Sequence, residues 1–184
     1  MTQRSFWRAC WAALVCLPLL VSCASSTTAS VPNGCAQPGS TCLKGKATVL
    51  LSTSRGDVTL ELDGDAAPMT AGNFADLVRR GVYNGTVFHR VVREPVPFVV
   101  QGGDPASKDS ATPKSAYGQG SFIDPSTGQA RYVPLEVKFK GEEQPRYGRV
   151  TSNPSELLKI ELPHDRGALA MARSQAPDSA SAQF

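Results

Sequence analysis

The chain has 184 residues, of which 19 are basic and 16 are acidic, and its 41% hydrophobic content is ordinary for a globular protein. This length suits one domain with a single core once a targeting segment is removed. Arg4 and Arg8 lie in the N-terminal segment, so the rest of the chain is nearly neutral. A neutral body offers no electrostatic basis for binding nucleic acid, and no such partner is expected.

The first residues predict export from the cytoplasm. Two arginines precede an apolar run from Ala9 to Val21, which is too short for a stable membrane span and indicates a signal peptide over residues 1–22. The stretch Leu20-Val21-Ser22-Cys23 resembles the lipobox of bacterial lipoproteins, whose cysteine receives lipid. We therefore expect an extracytoplasmic protein, lipid-anchored to a bacterial membrane through Cys23. A soluble exported protein cleaved near the same place is the alternative.

Residues 23–46 are rich in Ser, Thr, Pro and Gly, a composition typical of a flexible tether. The tether contains Cys35 and Cys42, which in an oxidising compartment predict a short disulfide loop. A redox-active or metal-binding pair is the alternative, but the stretch lacks Cys-x-x-Cys spacing and neighbouring histidines. We interpret the pair as structural.

The folded body is expected to begin with a β-hairpin over residues 47–63, turning at Ser54-Arg55-Gly56-Asp57. The Arg-Gly-Asp triplet at this turn is ordinary turn chemistry rather than an adhesion motif. A helix is predicted from Pro68 to Arg80, because apolar residues recur there at helical spacing and Gly81 provides a stop. Two strand-like runs follow, "TVFHRVV" and "PFVVQGG", separated by the proline-bearing "REPVP".

The stretch from 105 to 166 is rich in Gly, Pro and polar residues and predicts an insertion or binding loops. Within it, "YVPLEVKF" alternates as an edge strand does. The last residues, "GALAMARSQAPDSASAQF", indicate a loop that leads into another strand.

Arg90 is conspicuous because it lies between valines in a strand-like run. Alternate side chains of a strand share a face, which places Arg90 with Phe88 and Val92. An ordinary explanation is a strand-end arginine whose stem packs while its charged head reaches solvent.

Three sequence blocks in this order, "VTLELDGDAAPMTAGNFADLVRRGVYNGTVFHRVV", "FVVQGGDP" and "GALAMARSQAPDSASAQF", resemble the cyclophilin-type peptidyl-prolyl cis-trans isomerases. The resemblance covers residues 47–184 with a central insertion at about 105–166. It implies a mainly β fold, an antiparallel β-barrel with a capping helix. Members of the family continue beyond the position of Phe184, so the barrel is expected to be incomplete at its C-terminus.

The resemblance also implies the site. Arg90 matches the catalytic arginine that contacts the substrate prolyl group, and Gln101 matches the glutamine that orients it. The residues matching the substrate-binding surface are His89, Phe98, Val99, Ala172, Arg173 and Gln183.

Among these, Phe98 and Val99 match the floor of the proline pocket, and Ala172 and Arg173 match an edge whose backbone bonds an extended substrate. Gln183 matches a further polar contact. His89 matches a residue at the rim of the site, and a packed histidine on the opposite strand face is an equal alternative. The link "REPVP" is about three residues longer than is usual in the family, and Arg173 stands where the family usually has asparagine.

The function implied is prolyl isomerisation that accelerates the folding of exported proteins, by a monomer that uses no cofactor and no metal. The expected partners are proline-containing polypeptides and, through the lipid anchor, the membrane. Two alternatives are a noncatalytic proline-peptide-binding chaperone module and an inactive fragment of a cyclophilin.

Overall fold

The computed structural model describes Cys35 and residues 41–184. The predicted signal peptide, the lipidation site Cys23 and most of the predicted tether lie outside these described residues. Within the described part, no helix combines the length and the apolar character needed to cross a membrane.

The described residues form short strands, a long helix and a one-turn helix. The elements in chain order are β1 (Lys46–Thr53), β2 (Gly56–Asp63), α1 (Pro68–Arg79), β3 (Arg90–Val92), β4 (Val99–Gln101), β5 (Ile123–Asp124), β6 (Gln129–Ala130), β7 (Glu136–Val137), β8 (Arg146–Tyr147) and α2 (Pro154–Leu157). Turns of 3-10 helix occur at Pro105–Lys108 and Lys114–Ala116.

The strands of the described residues pair only as sequential antiparallel hairpins: β1 with β2, β3 with β4, β5 with β6, and β7 with β8. The barrel expected from the resemblance is therefore not closed within residues 41–184. A barrel closes only when every strand pairs along both edges, whereas each of these sheets has two strands. The long strands predicted at 86–92 and 97–103 shorten to three residues each.

The β1–β2 hairpin follows from its alternating sequence. Lys46 pairs with Asp63 and the register continues to Thr53 opposite Gly56, so that alternate apolar residues point to one side. These inward residues are Ala47, Val49, Leu60 and Leu62, which pack against α1. The predicted hairpin is thus present.

Helix α1 begins with Pro68 in its first turn and ends before Gly81, whose φ of 65° suits a residue without a Cβ. No side chain of its own first turn caps it. Instead the Glu136 carboxylate accepts hydrogen bonds from the backbone N–H groups of Met69 and Thr70, at 3.1 and 2.8 Å. A carboxylate at this end also complements the helix dipole. The insertion therefore supplies the N-terminal cap of α1.

The core forms where α1 meets the hairpin and the end of the chain. An aromatic cluster of Phe74, Tyr83 and Phe184 lies there, with ring centroids 4.9 to 5.3 Å apart. Buried Asn73 donates to the Ser181 carbonyl oxygen at 2.8 Å. Helix α1 consequently fixes the backbone of the last described residues.

The end of the predicted tether packs on α1. Cys35 and Cys42 form a disulfide, and the Leu43 N–H donates to the Pro68 carbonyl oxygen at 3.0 Å. A Cβ at Gly72 would lie 2.3 Å from the Thr41 carbonyl oxygen, so this close crossing requires glycine. Residues 41–45 therefore belong to the packed body.

Candidate functional site

The candidate site is built on the β3–β4 hairpin. Arg90 pairs with Gln101, and Val92 pairs with Val99, so these four side chains share one face. The connecting residues 93–98 are all exposed. The prolines at 95 and 97 lack the N–H that a longer ladder would need, and the long link projects outward.

A line of hydrogen bonds joins three of the predicted residues. The Arg90 guanidinium donates to Gln101 Oε1 at 3.2 Å, and Gln101 Nε2 donates to Gln183 Oε1 at 3.0 Å. Gln183 Nε2 donates in turn to the Gly120 carbonyl oxygen at 2.8 Å. Arg90 is exposed, and its other N–H donors have no partner among the described residues. The structure thus presents a cation that is held by one hydrogen bond and has N–H donors free for a ligand.

The two predicted pocket residues differ in position. Val99 is partly buried on the face of Arg90, whereas Phe98 immediately precedes β4 and is 78% exposed. Phe98 joins the hairpin through its backbone, whose N–H donates to the Val92 carbonyl oxygen at 3.1 Å. Its ring is therefore an exposed apolar surface at the end of the hairpin, and not the floor of an enclosed pocket.

The predicted backbone edge lies next to Gln183. The Ala172 N–H donates to the Gln183 carbonyl oxygen at 2.8 Å, while the Ala172 carbonyl accepts no hydrogen bond from the described residues. The Arg173 side chain turns back to the carbonyl oxygens of Ser174 and Gln175. Ala172 is thereby connected to the Arg90–Gln101–Gln183 line. The Arg173 guanidinium, in contrast, is bound by backbone carbonyl oxygens of the residues that follow it.

His89 is partly buried behind this face. Its backbone N–H donates to the Gln101 carbonyl oxygen at 3.0 Å, and both ring nitrogens are buried without a hydrogen-bond partner in the described part of the chain. A Cβ at Gly118 would lie 3.2 Å from His89 Nε2. This packing agrees with the packed alternative for His89 more closely than with a position at the rim.

A family model described as cyclophilin type peptidyl-prolyl cis-trans isomerase/CLD matches residues 48–184. The chain is a member of this family. A protein of Synechocystis named as a thylakoid lumen peptidyl-prolyl cis-trans isomerase is 41% identical over 145 residues, which cover 77% of this chain and 35% of that protein. A chloroplastic peptidyl-prolyl cis-trans isomerase of Arabidopsis thaliana is 38% identical over 155 residues, covering 77% of this chain and 32% of the relative.

Peptidyl-prolyl cis-trans isomerase B of Escherichia coli is 33% identical over 138 residues, which cover 74% of this chain and 59% of that enzyme. This cyclophilin chain therefore spans between about a third and three fifths of the length of these relatives.

One acidic residue behind the candidate site, Asp104, is not among those predicted from the sequence. Asp104 is 0% exposed, and its carboxylate accepts hydrogen bonds from the N–H groups of Ala106, Gly118 and Gly120 at 2.8, 2.6 and 3.2 Å. The only signal in the sequence was its position directly after Gln101-Gly102-Gly103. Nothing in the sequence around Gly118 and Gly120 predicts that their N–H groups bond to Asp104.

Two titratable groups support the scaffold of the cyclophilin domain. Burial raises the pKa of the Tyr83 phenol, so that the group stays protonated and donates to the Ala182 carbonyl oxygen at 2.9 Å. Burial alone would raise the pKa of Asp76, but hydrogen bonds and charges from Arg80 and Arg131 outweigh it and hold that pKa below its usual value. Arg131 also stacks on Phe122, at 4.6 Å from the ring centroid.

A separate cavity of about 680 Å³ lies between β2, the start of α1 and the segments 133–136 and 162–173. Arg173 contributes to its wall, whereas Arg90 and Gln101 do not. The described residues contain no group of three or more His, Cys, Asp or Glu placed to hold a metal ion.

Proposed function

We propose that this chain catalyses cis-trans isomerisation of prolyl bonds in exported polypeptides. The observation that carries the proposal is the exposed Arg90 guanidinium, held by Gln101 at 3.2 Å in a chain of the cyclophilin family. Gln183 supports Gln101 from behind. This arrangement holds the Arg90 guanidinium on the open face, where a bound peptide would contact it.

The chemistry explains why a cation belongs at this position. Rotation about a peptide bond has a barrier of about 18–20 kcal/mol, because the nitrogen lone pair is delocalised into the carbonyl. A guanidinium that donates to the prolyl nitrogen holds the lone pair as the bond twists, and so favours the twisted state over both planar states. Each tenfold acceleration requires about 1.4 kcal/mol of this preference. Arginine suits the role because it stays charged and presents a rigid planar fork.

Surrounding groups complete a substrate surface. The Ala172 carbonyl is an open acceptor for the N–H of an extended peptide, since it accepts no bond within residues 41–184. Val99 and Phe98 offer apolar area for the proline ring, on the face of Arg90 and at the tip of the hairpin respectively. The peptide would therefore lie along the face between β4 and residues 172–183.

Substitution of Arg90 tests the proposal. Arg90→Ala is expected to lower kcat by about 100-fold or more while weakening peptide binding much less, because only the interaction with the twisted state is lost. Arg90→Lys should restore only part of the rate, since a point charge on a flexible stem cannot reproduce the fork. Isomerisation rates come from exchange spectroscopy on a proline peptide, and affinities from titration.

Arg93→Ala is the matched control, because Arg93 is an exposed cation of the same hairpin with no described side-chain partner. Its rate should stay within about twofold of the unsubstituted chain. Equal loss of binding and rate in Arg90→Ala would make the arginine a binding contact only.

The second candidate is a noncatalytic module that binds proline peptides. The exposed ring of Phe98 favours this module. An apolar ring that is open to solvent can bind a proline ring, but it does not exclude water from the bond that would rotate. Peptide binding that is lost in Phe98→Ala, without measurable isomerisation by the unsubstituted chain, would establish this function instead.

The site of action proposed is outside the cytoplasm, with Cys23 lipid-modified and anchored to a bacterial membrane. The Leu-Val-Ser-Cys stretch after an apolar run supports the anchor, and the Cys35–Cys42 disulfide supports an oxidising compartment. The relative named for the thylakoid lumen is consistent with such a location. Mass spectrometry of the purified N-terminus should find lipid on Cys23, and an unmodified N-terminus at another residue would contradict the anchor.

A further inference from the structure

The line of hydrogen bonds behind Arg90 has a fixed direction. A guanidinium can only donate and a backbone carbonyl can only accept, so Arg90 at one end and the Gly120 carbonyl at the other determine how the two amides between them point. Gln183 must turn Nε2 toward Gly120, which leaves its Oε1 for Gln101. Gln101 must then turn its own Oε1 toward Arg90.

The position of the Gly120 carbonyl depends on Asp104. The same carboxylate oxygen of Asp104 accepts the N–H of Gly118 at 2.6 Å and that of Gly120 at 3.2 Å. Gly120 is thus held through its N–H by Asp104 and through its carbonyl by Gln183. A Cβ at Gly120 would lie 2.0 Å from Asp104 Oδ1, which shows how closely the loop backbone lies on the carboxylate.

Asp104 is also connected to the segment that leads into β3. The backbone carbonyl of Asp104 accepts the Ser107 hydroxyl at 2.6 Å, and that hydroxyl accepts the Val87 N–H at 3.1 Å. Val87 lies three residues before Arg90. Both Asp104 and Ser107 are buried, at 0% and 5% exposure. One buried residue is therefore connected, through its carbonyl, to the segment before Arg90 and, through its carboxylate, to the loop that Gln183 contacts.

We propose that Asp104 is a positioning residue for Arg90, acting through the Gly118–Gly120 loop and the two glutamines. This inference rests on the proposed isomerase function of the Arg90 face. Asp104 contacts neither the substrate face nor Arg90. Its effect is to fix the Gly120 carbonyl, which determines how the side-chain amides of Gln183 and Gln101 are oriented. Loss of that carboxylate frees Gln183 to rotate, and Gln101 then no longer holds the guanidinium in one place.

The test substitutes Asp104 by asparagine, which keeps the shape but turns an NH₂ group toward backbone N–H donors that need an acceptor. Asp104→Asn should lower kcat roughly tenfold or more and change KM much less, because the misplaced cation matters chiefly in the twisted state. Asp109→Asn is the matched control: Asp109 lies in the same loop region, and its carboxylate accepts only the Ala111 N–H of its own turn among the described residues. Its kcat should not change.

A spectroscopic readout separates positioning from general destabilisation. In the full unsubstituted chain, the side-chain NH₂ signals of Gln101 and Gln183 should be dispersed, with a nuclear Overhauser contact from Gln183 to the Gly120 region. In folded Asp104→Asn these signals should move toward averaged positions, whereas in Asp109→Asn they should stay. Gly120→Ala, which pushes on the same carboxylate from the loop side, should act as Asp104→Asn does.

Averaged Gln183 signals in the unsubstituted chain would overturn the proposal even if no variant folds. So would unchanged signals and unchanged kcat in Asp104→Asn. An unsubstituted chain without isomerase activity but with a held Gln183 amide would instead refute the proposed function and leave the hydrogen-bond arrangement standing.

Discussion

Asp76 shows how one buried carboxylate ties two parts of the chain together. It accepts hydrogen bonds from Arg80, the residue that follows the end of α1, and from Arg131 in the insertion, at 2.7 and 2.8 Å. Its exposure is only 8%. The insertion is therefore attached to the long helix by a charge pair that is largely shielded from water, where such pairs are screened less than at the surface.

This attachment should make stability depend on pH. The pKa of Asp76 is lowered in the folded state from the ordinary value of 3.8, so its stabilising contribution is complete above that value and is lost as the pH falls through the folded-state pKa. Asp76→Asn should lower the unfolding free energy at pH 7 by roughly 1–3 kcal/mol, and the difference from the unsubstituted chain should shrink below about pH 4. Urea unfolding followed by circular dichroism at several pH values measures the loss of unfolding free energy and its dependence on pH.

Asp57→Asn provides the comparison, because Asp57 is exposed at the hairpin turn and has no described side-chain partner. Its stability should follow that of the unsubstituted chain at every pH. A difference for Asp76→Asn that stays constant down to pH 2 would contradict the argument.

At the scale of elements, helix α1 depends on segments far from it in sequence. Its first turn is capped by Glu136, 66 and 67 residues away, and its middle is crossed by residues 41–43. Neither contact can be read from the helix sequence, which shows only apolar spacing, Pro68 and Gly81. The helix boundaries were nevertheless predicted within one residue, because spacing and end signals are local properties.

Gly72 gives a test of the crossing with a definite sign. In an isolated helix, replacing glycine by alanine stabilises by about 1 kcal/mol. Here the added methyl group would meet the Thr41 carbonyl oxygen at 2.3 Å and the Cys42 Cα at 2.7 Å. Gly72→Ala should therefore lower stability by roughly 1–3 kcal/mol, as overpacking does. Thermal unfolding decides: a higher Tm than that of the unsubstituted chain would show that residues 41–43 do not pack on α1.

At the scale of the whole chain, the described strands leave edges open. Each sheet between residues 41 and 184 has two strands, and a two-stranded hairpin has little stability without further support. Leu50 is 63% exposed on the outer face of β1, next to an edge that pairs with no other described strand. Exposed apolar edges of this kind tend to pair with other chains.

The chain should therefore self-associate as its concentration rises, and Leu50→Lys should reduce this self-association. A charge on an edge strand opposes pairing without disturbing the inward face, where Val49 packs. Val150→Lys is the control, because Val150 is 51% exposed but lies outside the strands. Sedimentation velocity over a range of concentrations measures the effect. A monomer at all concentrations, with no difference between the variants, would contradict it.

The candidate site was predicted in part. The order of the Phe-His-Arg and Gln-Gly-Gly-Asp blocks indicated the family, and the register then placed Arg90 directly opposite Gln101. The placement of Phe98 could not be predicted, because the link "REPVP" carries no periodicity and its outward course depends on where pairing stops. Whether the predicted residues act in catalysis remains a prediction.

The order of residues alone predicts the local elements and the family: the hairpin from alternating residues, α1 from helical spacing, and Arg90 within a strand. Those features depend on neighbours a few residues apart, which the order of amino acids states directly. The packing of distant segments, in contrast, brings Gln183 against Gln101, 82 residues earlier in the chain, and places Asp104 against the loop behind both. Such contacts depend on the packing of α1, the register of β3 with β4 and the exclusion of water from Asp104, and none of these is a property of one stretch of sequence.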